Sequence, residues 1–134
     1  MMDPFALSPR DLGFLVGLLV GEGSFGGDGR QPQITLRMHT RHRDLFERLV
    51  GLVPGSRLYG PYNHGGRHYM QWMVRGQVLR ELLVPVLRHN ADLMDEYTTR
   101  RFELMCTAYG MGRSDLLVTE GGAARVADPL HPRD

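Results

Sequence analysis

The sequence predicts an α+β domain of element order αββαββα, in which one antiparallel sheet carries its helices on a single face. Segments with apolar residues at helical spacing alternate with pairs of segments in which apolar and polar residues alternate. Each such pair closes on a glycine-containing turn, and the helix-plus-hairpin unit occurs twice before a final helix. At 134 residues and 42% apolar, the chain suffices for one domain with a buried core and not for two. Residues 1–112 form that domain. Residues 113–134 lose periodicity, include Gly-Gly, Ala-Ala and two prolines, and are expected to be a flexible C-terminal tail.

The first helix runs from Pro9 to Val20. Ser8 supplies its N-cap, Pro9 suits the first turn, and Asp11 sits where the helix dipole favours an acid. Phe14, Leu15, Leu18 and Leu19 give it an apolar stripe, while Gly13, Gly17 and Gly21 recur every four residues as a ridge without side chains. Glycine costs about 1 kcal/mol against alanine inside a helix, so the ridge is expected to admit the close approach of another backbone. The same spacing also arises by accident in soluble proteins.

Ser24 to Asp28 and Gln33 to His39 make the first hairpin, around the turn signal Gly26 to Gly29. In its second strand Ile34, Leu36 and Met38 point one way, and Gln33, Thr35, Arg37 and His39 the other. A helix follows from Arg43 to Val53, ended by Pro54-Gly55. Arg57 to Tyr62 and His68 to Arg75 form the second hairpin, around Asn63 to Gly66. Gln77 to Arg88 is the next helix, which Pro85 is expected to kink or shorten. The last helix covers Asp95 to Tyr109.

The uncovered sheet face carries Gln33, Arg37, His39, Arg57, Tyr59, Tyr69, Gln71 and Arg75. Half-exposed sheets always turn polar residues outward. Here, however, long planar donors and acceptors stand where lysine and glutamate are usual. Such side chains can enter a DNA major groove and contact base edges, and Arg30, Arg41 and Arg67 near the strand ends extend the set. Net charge is only +1, yet between Ser24 and Arg75 eight arginines face three acids, so that segment carries +5. Every basic residue is arginine, which codon bias alone would also produce; arginine nonetheless brings the planar fork that fits phosphate and guanine edges.

The longest apolar stretch, Phe14 to Val20, falls well short of the roughly 20 residues of a membrane span. The N-terminus has neither a basic region nor a cleavage-like site, and the lone Cys106 cannot form an internal disulfide. A cytoplasmic chain, nucleoid-associated in a prokaryote, with no membrane partner, is the expectation.

The stretch Phe14-Leu15-Val16-Gly17-Leu18-Leu19-Val20-Gly21-Glu22-Gly23-Ser24-Phe25 resembles the LAGLIDADG signature, most closely in its Gly-Glu-Gly-Ser-Phe ending. The resemblance, to the single-motif LAGLIDADG homing endonucleases, extends over about residues 10 to 109. It implies a saddle-shaped sheet and a homodimer that cuts a pseudo-palindromic site in double-stranded DNA. Two copies of the motif helix would pack through Gly13, Phe14, Gly17, Leu18 and Gly21, since a chain with one motif needs a second chain for a second acid. Glu22 takes the place of the catalytic, metal-holding acid, with the Gly21 carbonyl as a further ligand, and the cofactor implied is Mg²⁺ or Mn²⁺. A structural reading of Glu22 as a mere helix-end acid is less comfortable, because the dipole disfavours an acid there.

Two departures from the family pattern bear on chemistry. Val20 stands where the motif often has its first acid, and the sequence has no lysine for the basic position that active members commonly place near the catalytic floor. Arg88, or Arg100 and Arg101, could substitute electrostatically, though arginine does not shuttle protons near neutral pH. The polar residue that orients water falls among His39, Thr40 and Arg41. These departures leave two rivals open: a DNA-binding regulator that has lost nuclease chemistry, and an RNA-binding splicing helper. An unrelated α+β domain bearing a chance motif is a fourth reading.

Elsewhere the bland readings prevail. His39 with His42, or His64 with His68, imitate zinc pairs, but no second cysteine completes a site and the residues fall on different elements. Trp72 and Met70 belong to the apolar face, Cys106 is expected to be a buried thiol, and His89 a solvated helix-end histidine.

Overall fold

A computed structural model describes residues 7–112. The expected C-terminal tail lies outside the described residues. The first helix, α1 (Pro9–Glu22), begins where Ser8 Oγ accepts the Asp11 N–H at 3.0 Å, as a serine N-cap does, and runs two residues beyond the expected end at Val20. Strands β1 (Gly23–Gly27) and β2 (Pro32–His39) follow as a hairpin, then α2 (Arg43–Leu52), then a second hairpin of β3 (Arg57–His64) and β4 (Arg67–Arg75). Gly65 and Gly66, with φ of +59° and +84°, let this hairpin turn on two residues, so its strands extend beyond Tyr62 to His64 and back to Arg67.

Pro85 does not shorten the third helix, α3 (residues 76–89). Pro85 has no N–H to give to the carbonyl four residues back, and its ring crowds that carbonyl. The helix accommodates both by widening: Leu79–Leu83 is π-helical, the Val84 N–H reaches Leu79 O, and α-helix resumes over Val84–His89. The last helix, α4, is Glu96–Ala108.

The four strands form one antiparallel sheet in the order β1-β2-β4-β3, so the two hairpins meet at the centre through β2 and β4. Ile34, Leu36, Met70, Trp72 and Val74 face the helices, where they meet Leu15 and Leu19 of α1, Phe46 and Leu49 of α2, Leu79, Leu83 and Leu87 of α3, and Phe102 and Met105 of α4. Cys106 is buried there too. Burial of this apolar surface is the main stabilising contribution. Phe102 is fully buried and meets Phe25 edge-on at 6.3 Å. Phe102→Ala is therefore expected to cost about 3–5 kcal/mol, read as a fall in the urea midpoint at unchanged slope.

Candidate functional site

The register of the sheet arranges its open face in cross-strand rows. One row joins Arg37, Gln71 and Tyr59; flanking rows pair Gln33 with Arg75 and His39 with Tyr69, and Arg57 lies opposite Met73 in the row between. All eight residues expected on this face therefore share it, and none of the residues alternating with them on the strands is an acid. Arg37 is pinned: its Nε and Nη2 donate to Gln71 Oε1 at 3.2 and 2.8 Å, and its guanidinium lies 5.1 Å from the Tyr69 ring centre. Held this way, the guanidinium loses less side-chain freedom when it meets a ligand. Arg67 opens β4 opposite His64, and Arg41 lies in the single turn Thr40–His42 after β2. Arg30 sits on the β1–β2 turn, which Asp28 closes by accepting the Arg30 and Gln31 N–H groups at 2.8 and 2.9 Å. Those bonds, Gln31's first, hold the Asp28 carboxyl below the usual carboxylate range.

Sequence reasoning missed Tyr62. Strict alternation from Arg57 and Tyr59 leads to Pro61, but three steps along β3 span two along β4, from Tyr59 opposite Gln71 to Tyr62 opposite Tyr69. The extra residue is a bulge that reverses the alternation and delivers Tyr62 to the open face, 5.3 Å from the Tyr69 ring. Gly60-Pro61 within a strand was the available signal, since both residues favour bulges.

At the end of α1 the chain must turn at once into β1. A Cβ on Gly23 would lie 2.7 Å from Leu19 O, so only glycine fits directly after Glu22. Glu22 is exposed, and its carboxylate has no hydrogen bond or ion pair among the described residues. The helix's own hydrogen-bond ladder ends at Leu19, whose carbonyl accepts the Gly23 N–H, which leaves the Gly21 carbonyl in the unladdered last turn. Glu22 and the Gly21 carbonyl are hard oxygen donors of the kind a divalent cation takes, but among the described residues no group of three or more His, Cys, Asp or Glu could hold a metal, so they would supply only part of a shell.

The arginine that adjoins this turn is Arg101, not Arg88. Arg88 donates to both Glu103 oxygens at 3.2 Å and to Met111 O at 2.6 Å, and lies over Phe102, so its charge is neutralised in a clasp between α3 and α4. Arg101 reaches from α4 to Gly23 O at 3.2 Å, flanked by Phe25 and Tyr97 with its guanidinium 5.3 Å from each ring centre. Arg101→Ala removes that bond and both stacking contacts. An expected loss of about 1–2 kcal/mol, only partly restored in Arg101→Lys, can be read by chemical denaturation.

No described residue outside α1 packs on its glycine ridge. A Cβ at Gly13, Gly17 or Gly21 would find no atom within 4 Å among the described residues, and all three are exposed. Phe14 and Leu18 beside it are only partly covered, Phe14 by the Arg48 guanidinium 4.4 Å from its ring centre.

No protein-family model matches this chain, and no curated protein matches it. Solved structures do. The chain is similar to the homing endonuclease I-CeuI complexed with DNA, with TM-score 0.60 and 14% identity over 78% of this chain and 56% of that one. A second similarity is to I-SmaMI, named both a meganuclease and a LAGLIDADG homing endonuclease. Bound to uncleavable DNA it gives TM-score 0.55 and 15% identity over 71% of this chain and 35% of that one; bound to cleaved DNA, 0.50 and 11% over 100% and 52%. The chain has the LAGLIDADG homing-endonuclease fold. It spans between about a third and just over half the length of those solved chains. In the frame of that fold, the expected αββαββα order, the single antiparallel sheet and the one-sided helices are all observed.

Proposed function

We propose that the chain is a site-specific double-stranded DNA endonuclease that acts as a homodimer on a pseudo-palindromic site. The observation that carries this reading is the coincidence, on one fold, of an acid-free arginine-bearing sheet face with an exposed Glu22 that has no partner among the described residues, at the end of a helix whose glycine ridge none of them covers. That the solved proteins of the same fold were captured on DNA supports the choice of ligand.

The division of labour follows from the residues. Gln33, Arg37, Tyr59, Gln71 and Arg75 contact base edges, while Arg30, Arg41, Arg57 and Arg67 hold phosphates and fix the register. Two α1 helices pack ridge to ridge, which brings the two Glu22 carboxylates to the middle of the duplex site. Glu22 and the Gly21 carbonyl would hold Mg²⁺ or Mn²⁺, which when bound supplies charge stabilisation at the phosphodiester and activates water. Arg101 holds the Gly23 backbone and so positions Glu22.

Selection of a bound duplex from a randomised library, followed by incubation of that duplex with Mg²⁺ or Mn²⁺, tests the reading. Metal-dependent cutting of both strands is the expected result. Selective binding without cutting would make the chain a DNA-binding regulator, and preference for structured RNA over the duplex would make it an RNA-binding helper.

A further inference from the structure

We propose that the corner of the open face where β2 ends against the tip of the β3–β4 hairpin is a proton-linked phosphate-binding site, at which histidines take up protons as a DNA phosphate arrives. This rests on the reading that the open face binds duplex DNA. Of the six histidines in the chain, four converge here. His39 closes β2 opposite Tyr69, His42 ends the following turn, His64 flanks the hairpin tip opposite Arg67, and His68, opposite Asn63, alternates with Tyr69 to the other side of the same sheet end. The His39 and His68 ring centres are 6.4 Å apart, and His64 stacks on Tyr69 at 6.0 Å and 27°. Residues 29 positions apart in sequence are thus neighbours only because the two hairpins meet through β2 and β4.

The charges around the corner are one-sided. Arg37 and Arg41 approach from β2 and its turn, and Arg67 from β4. The charged groups that bear on His39 are Arg41, His68 and His42, all bases. The acids nearest in sequence open α2: Asp44 in its first turn, and Glu47, which is paired with Arg43 at 3.7 Å. Tyr62 and Tyr69 complete the corner, with their ring centres 5.3 Å apart.

His39 shows how the corner is poised. Its Nδ1 accepts the Arg41 N–H at 2.9 Å, which requires that nitrogen to be unprotonated and leaves Nε2 to carry the hydrogen. Partial desolvation, followed by the charge of Arg41, His68 and His42, holds this imidazole below its ordinary value. A phosphate bound at this corner reverses the sign of the local potential that His39 meets. Protonation of His39 gives up the bond that caps the Thr40–His42 turn, so it needs that reversal. Linkage fixes the direction: if the bound state holds more protons, affinity rises as pH falls, with one tenfold step per pH unit for each proton taken up.

The test is fluorescence anisotropy of the full chain with a random-sequence 30-base-pair duplex, from pH 8 to pH 5.5 at constant ionic strength. Duplex phosphates and bases do not titrate in that window, so a slope reports on the protein. Affinity is expected to rise at least tenfold as pH falls. In the combined variant His39→Gln, His42→Gln, His64→Gln, His68→Gln the rise should shrink below threefold, with the circular dichroism spectrum unchanged. A flat profile in the unaltered chain, or an equal rise in the variant, overturns the proton-linked site while leaving the DNA reading intact. No binding at any pH overturns the DNA reading, and this inference with it.

Discussion

Glu22→Gln is expected to abolish duplex cutting while leaving duplex affinity within about twofold. The substitution keeps the size of the side chain and removes its charge at an exposed position with no partner among the described residues, so no native contact is broken. The rate should fall by roughly a thousandfold or more, the scale on which loss of one electrostatic stabiliser of a transition state is felt. Cutting and gel-shift assays on the same selected duplex separate the two effects. If Glu22→Gln cuts at the unaltered rate, the acid is a helix-end residue without a task and another group carries the chemistry.

Gly17→Leu gives the second large effect, and its sign is diagnostic. On a bare helix face leucine is the better helix former by nearly 1 kcal/mol, and a Cβ at Gly17 meets nothing among the described residues of one chain. A lone subunit should therefore melt slightly higher than the unaltered chain. Between two helices packed ridge to ridge, a leucine in the middle pushes the axes apart from the close end of the usual 8–10 Å range and destroys the contact. The dimer is then expected to dissociate at least a hundredfold more readily, and cutting of both strands to disappear while each chain remains folded. Sedimentation and thermal melting of Gly17→Leu, with Gly17→Ala as the milder companion, record both quantities.

Much of this was legible in the sequence where a single physical rule governs a residue. Ser8 and Asp11 set the start of α1, the alternation in Gln33 to His39 set the faces of β2, and the open face then followed from pairing alone. What escaped were places where two rules compete. Pro85 forbids a regular helical bond, but the buried Leu79, Leu83, Val84 and Leu87 hold the helix against the sheet, and a π turn reconciles the two. Gly60-Pro61 interrupts a strand whose ends are both paired, and the resulting bulge brings Tyr62 to the open face. The choice between Arg88 and Arg101 was beyond sequence, because it depends on which one finds Glu103 across the helix packing and which one finds the Gly23 carbonyl.

The proposed dimer would also account for an otherwise costly sequence. Three glycines in one helix forfeit helix stability that nothing within the described chain repays, whereas two such helices in contact recover it through backbone approach and burial of the flanking Phe14 and Leu18. In the proposed dimer the same contact would fix the separation of the two acids, which would make dimerisation and chemistry a single geometric requirement.

Sedimentation equilibrium of the unaltered chain, alone and with its selected duplex, addresses that requirement most directly. Two chains of 15.2 kDa per particle, and two per duplex, are the expected masses. A single 15.2 kDa chain in both conditions would contradict the account.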